Sequence, residues 1–116
     1  MSVKKLHSEI NTTYFCTFTC HNWISLFEIT NFYDEVYKWL NILITKNVQI
    51  IGFVIMPNHL HCLLHLNDKS TSINKITGTG KRFMAYEIVR RLKAIHKKQL
   101  LKELSEAVLP SEKARN

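Results

Sequence analysis

The sequence predicts an α+β domain in the order strand–helix–strand–strand–helix, and three observations carry that prediction. Residues 12–20 (Thr-Thr-Tyr-Phe-Cys-Thr-Phe-Thr-Cys) are β-branched and aromatic, as a strand requires. Residues 53–66 are two apolar runs parted by Pro57-Asn58, which reads as strand, tight turn, strand. Two further segments, 31–46 and 81–96, repeat apolar residues at helical spacing. This is the order of a ferredoxin-like βαββα(β) sandwich, an antiparallel sheet with two helices on one face, here lacking its last strand. Either a partner supplies that edge or the chain stops before it.

Taken in order, residues 1–10 form a short polar lead. In the first strand Tyr14, Cys16 and Phe18 fall on one side, and Phe15, Thr17 and Thr19 on the other. Residues 21–29 look irregular, with Trp23, Leu26 and Phe27 packing locally. Asn31 is placed to cap a helix with Asp34 in its first turn, and Phe32, Val36, Trp39, Leu40 and Leu43 form its apolar stripe. Residues 48–56 are nearly all apolar, which suggests a central strand covered on both faces. Residues 67–80 are polar and hold two of the three glycines, so they read as a loop with one helical turn near Ile73–Ile76. A helix follows over 81–96, with a possible continuation to Leu104 after a break, and Met84, Ile88, Leu92 and Ile95 form its stripe. The tail over 105–116 is polar and expected to fray.

At 116 residues the chain is one domain with a real core. A net charge of +7 favours polyanionic partners, nucleic acid first. The three cysteines lack a disulfide-framework spacing and read as reduced, which suggests the cytoplasm. Nothing at the start resembles a signal peptide, and no apolar run is long enough to span a membrane.

The candidate chemistry lies in two places. On the strand after Pro57-Asn58, alternation puts His59 and His61 on one face, while Leu60, Cys62, Leu64 and Leu66 point into the core. Two adjacent imidazoles on a rigid strand can hold a divalent metal, although a half-exposed hairpin would look the same. On the helix over 81–98, Tyr86 lies opposite the apolar stripe among Arg82, Arg90, Lys93 and Lys97. A phenol beside such cations could act as a nucleophile on phosphorus, and the cations could bind phosphate.

Met56-Pro57-Asn58-His59-Leu60-His61-Cys62-Leu63-Leu64 resembles the HUH motif of the single-tyrosine HUH transposases of small insertion sequences, including the REP-associated group. The basic helix bearing Tyr86 follows downstream, and Tyr14-Phe15-Cys16-Thr17-Phe18-Thr19 is similar to that family's first strand; the likeness spans roughly residues 12–97. The resemblance implies cleavage and rejoining of single-stranded DNA at hairpin-marked ends through a 5′-phosphotyrosine. It implies His59 and His61 as ligands of one Mg²⁺ or Mn²⁺ and Tyr86 as nucleophile; the cations beside that tyrosine, Arg82, Arg90, Lys93 and Lys97, read as the DNA contacts. It further implies a cytoplasmic, nucleoid-associated protein and a possible homodimer, in some relatives with tyrosines serving the partner's histidines. One departure is that some relatives carry a ligating glutamine four residues after the tyrosine, where this chain has Arg90.

Other residues bear on that site less directly. His65 lies about 13 Å along the strand from His61, too far to share an ion. His21 could approach only if the first and third strands are neighbours. Trp23, Trp39, Tyr14 and Phe53 read as core rather than as base-stacking platforms. A non-catalytic hairpin-DNA-binding relative is the alternative function. A cupin is disfavoured by the two helices, and by His65 and Leu66 where a glutamate would be needed.

Overall fold

A computed structural model describes residues 2–5, 13–67 and 72–107. Four antiparallel strands form one sheet: β1 (Ser2–Lys5), β2 (Thr13–Thr19), β3 (Val48–Met56) and β4 (His59–Leu66), in spatial order β1-β2-β4-β3. The helices are α1 (Leu26–Ile29), α2 (Tyr33–Thr45), α3 (Ile73–Ala94) and α4 (Lys98–Glu106), with a 3₁₀ turn at His21–Trp23. Counting from β2, the chain runs strand, helix, strand, strand, helix, as the ferredoxin-like order requires. The seat beside β2 that a last strand would take is filled by β1, from the segment expected to be a polar lead. A four-residue strand has too little pattern to be recognised before its partner is known.

One face of the sheet carries the core. Cys16 and Phe18 of β2 and Leu60, Cys62, Leu64 and Leu66 of β4 are buried against Val36, Trp39, Leu40 and Leu43 of α2 and Ile76, Met84, Ile88 and Leu92 of α3. Strict alternation along β4 (half-buried, buried, repeated four times) shows that only this face is packed. Leu60 and Leu64 are wholly buried, each contributing about 1.5–3 kcal/mol of hydrophobic stabilisation. Cys16 and Cys62 oppose one another across β2 and β4, and all three cysteines are free. Its hydrogen bond to Cys16, together with burial, pushes the Cys62 thiol up, so it is inert.

β3 is not central: among the described strands it pairs only with β4, and Ile51, Phe53, Val54 and Met56 are exposed. Its continuous apolar run suggested double burial, yet a bulge at Ile51 and an open face leave it half bare. Phe53 is therefore not core; it meets the ring of Tyr37 edge-on at 5.7 Å. The stretch read as a loop over 67–80 is helical from Ile73, with Ser72 accepting the Lys75 N–H at 3.1 Å as N-cap. Gly80 is there for close approach, since a Cβ would stand 2.8 Å from the Trp39 indole. Asn31 closes α1 rather than opening α2: it takes φ 49°, and the Phe32 N–H returns to the Phe27 carbonyl at 2.8 Å. Ile95 leaves the apolar stripe because α3 stops at Ala94, where His96 turns left-handed at φ 59°. The expected tail over 105–116 is described only to Ala107, and residues 6–12 and 68–71 also lie outside the described residues.

Candidate functional site

The face of the sheet away from the helices carries the histidines. Met56 and Thr19 flank His59 on the neighbouring strands, and Val54 and Thr17 flank His61. The two imidazoles lie 4.7 Å apart between centroids, nearly perpendicular at 81°. Each has an outer partner on Nδ1. His61 Nδ1 meets Thr17 Oγ1 at 3.1 Å, and His59 Nδ1 meets Asn58 Oδ1 at 2.7 Å. The Asn58 amide is itself oriented, because its Nδ2 donates to the Trp23 carbonyl at 3.2 Å. Its Oδ1 can only accept, so His59 carries its proton on Nδ1 and leaves the Nε2 lone pair outward. An imidazole fixed from behind in this way is prepared for metal ligation.

The Pro-Asn punctuation thus does more than turn the chain. The Pro57 carbonyl accepts the Phe27 and Glu28 N–H groups at 3.0 and 3.3 Å, standing at the start of α1. The Asn58 carbonyl accepts the Cys20 N–H at 2.9 Å. The 3₁₀ turn holding Trp23 is therefore tied to the turn holding the histidines. Asn22 and Trp23 both take left-handed φ values, 50° and 58°. Such a conformation costs an L-residue about 1–2 kcal/mol, so the surroundings must hold it. Trp23, expected in the core, is 65% exposed and lies edge-on to His59 at 5.9 Å. Phe15 stacks on His61 at 5.3 Å.

The donor set fits a divalent ion in part. Two imidazole nitrogens suit Mn²⁺ or Zn²⁺ better than Mg²⁺, which prefers oxygen. Among the described residues no third His, Cys, Asp or Glu completes a metal-holding group. Further coordination would come from water or substrate oxygen. β2 does neighbour β4, yet His21 instead lines a cavity with Phe27, Lys81 and Met84 on the helix side. His65 makes its own contact, Nδ1 to Thr13 Oγ1 at 2.7 Å.

The other predicted half lies elsewhere. Met84, Ile88 and Leu92 press α3 onto the sheet face opposite the histidines, which leaves Tyr86 75% exposed and turned away from them. Within one copy of the chain the structure does not bring Tyr86 to His59 and His61. The other tyrosines are no closer to the role: Tyr14 packs toward the core, and Tyr33 and Tyr37 belong to α2. None of the chain's four tyrosines lies on the histidine face. Arg82, Arg90, Lys93 and Lys97 are exposed on the helix side too. Arg90 is engaged by Glu87, and that contact, then Arg91, holds the Glu87 carboxyl down at about 2.

Sequence reasoning missed Arg91, which is structural. Its guanidinium donates to Asp34 at 3.1 Å, Glu35 at 3.0 Å, Glu87 at 3.2 Å and the Thr30 and Asn31 carbonyls at 3.1 and 2.7 Å. It binds α3 to the start of α2 and holds the Asp34 carboxyl below its usual range. Only the Glu87 spacing of i, i+4 hinted at it.

The fold and site together define an α+β domain with two adjacent histidines on the face of its sheet away from the helices. A family profile described as "Transposase IS200 like" matches residues 9–105, and the chain belongs to that family. No curated protein and no solved structure matches significantly. Membership makes it a DNA-processing, DNA-binding chain of the transposition class. Among the described residues, no helix is long and apolar enough to cross a membrane.

Proposed function

We propose that this chain cleaves and rejoins single-stranded DNA at hairpin-marked ends, with His59 and His61 holding one divalent ion, Mn²⁺ in preference to Mg²⁺, against the scissile phosphate. The observation that carries this is the pair itself: two adjacent imidazoles, each engaged at Nδ1, on the open face of the sheet. A bound ion there would neutralise charge on the phosphoryl oxygens. The residues' own part is to hold two nitrogens rigidly and to leave room for an extended strand along β2 and β4.

A tyrosine nucleophile must then arrive from a second copy. Attack of the Tyr86 phenolic oxygen on phosphorus would form the phosphotyrosine and break the bond to the 3′ oxygen, which leaves as a hydroxyl. Exposure of Tyr86 on a helix with its back to its own histidines supports a homodimer in which each α3 serves the other copy's sheet. Among the described residues the outer edge of β3 pairs with no strand, which supports association as well. The basic residues Arg82, Lys93 and Lys97 would contact DNA beside the incoming tyrosine.

The test is covalent capture with labelled hairpin-flanked DNA and Mn²⁺. We expect an adduct with wild type and none with His59→Ala or Tyr86→Phe alone. Mixing those two variants restores it if the tyrosine works on its partner. No adduct from wild type with either metal overturns the cleavage reading. The separation of Tyr86 from the histidines within one copy favours one alternative, a hairpin-DNA-binding relative that does not cut. Salt-dependent binding that survives both substitutions, without any adduct, would establish it.

A further inference from the structure

We infer that Trp23 is a base-stacking platform for the unpaired nucleotide next to the phosphate held at His59 and His61. The inference rests on the single-stranded DNA reading and adds to it a residue that contacts the base. Isolated exposed apolar side chains are ordinary on protein surfaces. Trp23 is different in three respects. It is not isolated: its indole, His59, His61 and Phe15 form a continuous row of rings, with centroid spacings of 5.9, 4.7 and 5.3 Å. Its backbone is held in a conformation that a tryptophan does not choose, with φ 58° after Asn22 at φ 50°. And the group that holds it, Asn58, is the same one that fixes the His59 tautomer.

One amide therefore sets both the ligand nitrogen and the indole. Loss of the left-handed turn would free Trp23 to seek burial, yet the chain keeps it 65% exposed beside the ligand pair. An indole in that position has a π face free for a flat partner. Single-stranded DNA supplies one on every nucleotide, whereas duplex DNA keeps its bases stacked on each other.

The test uses the full chain and a short single-stranded oligothymidylate, free and annealed to its complement, at fixed salt. Of the two tryptophans only Trp23 is exposed; Trp39 is buried and contributes a constant background. We expect the single strand to quench the exposed indole and the duplex not to. Trp23→Ala and Trp23→Leu should each weaken single-strand binding roughly 5- to 150-fold, while Trp23→Phe, which keeps a π face, stays within a few-fold of wild type. Equal affinities for Trp23→Phe and Trp23→Leu, or unquenched indole emission with the strand bound, overturn the stacking role alone and leave the DNA reading standing. If wild type binds no single strand under any salt condition, both fall together.

Discussion

The two faces of the sheet follow opposite rules, and β4 shows both within eight residues. Toward the helices, Leu60, Cys62, Leu64 and Leu66 are buried and interchangeable in kind, because volume and apolarity decide their fit. Toward the open side, His59 and His61 are half-buried and specific, because each Nδ1 has an assigned partner. Stability is concentrated on one face and the proposed chemistry on the other. A substitution should therefore move one without the other, and that expectation can be tested in steps.

The largest separation is expected from the histidines. His59→Ala with His61→Ala should abolish Mn²⁺ binding, read by calorimetric titration, while thermal melting of the metal-free protein changes little. Leu64→Ala on the same strand should do the reverse, costing about 2–5 kcal/mol in urea unfolding and leaving any residual folded protein able to bind metal. If the histidine pair proves as costly to stability as Leu64, the division between faces is wrong. Asn58→Ala probes the seam between them. Releasing both His59 Nδ1 and the Trp23 carbonyl should weaken metal affinity about 10- to 100-fold, measured by the same titration. Gly80→Ala should destabilise by about 1–3 kcal/mol despite the better helix propensity of alanine, since its Cβ meets the Trp39 indole at 2.8 Å.

The smallest effect concerns acid. The Glu87 carboxyl is held down from 4.5 to about 2 by Arg90 and then Arg91. A depressed carboxylate contributes stability that is present above its unfolded value and lost as pH falls through the folded one. Melting temperature should therefore decline between about pH 4.5 and about pH 2, together with the contribution of Asp34, which Arg91 also holds low. Arg91→Met should remove the Asp34 part of that decline and lessen the Glu87 part, while leaving Mn²⁺ affinity unchanged, because the guanidinium touches only the helix side.

How legible this was in the sequence depends on the range of the interaction. The period-2 alternation of β4 and the helical stripe of α2 were readable because each is a local consequence of one face being buried. The histidine pair was readable for the same reason. Gly80 was misread because glycine marks a loop locally, whereas here its meaning is set by Trp39, forty-one residues away in the chain. Trp23 was misread because an exposed indole depends on a turn held by Asn58 from another strand connection. The placement of Tyr86 was half legible. The stripe correctly set it opposite Met84 and Ile88, but not which side of the sheet the helix would cover.

The position of β1 bears on how the domain assembles. Its pairs with β2 join Ser2 to Thr17 and Lys5 to Tyr14, contacts between residues near in sequence. Closing that edge costs little loop entropy and need not wait for α3 to be made. Strand β4 must instead be brought to β2 across the whole of α1, α2 and β3. The N-terminal ribbon can form early and shield one flank of β2, so that the slow event is the insertion of the histidine strand beside it. His59 and His61 would then be among the last groups to find their geometry, and a chain trapped before that step would have secondary structure without the paired imidazoles.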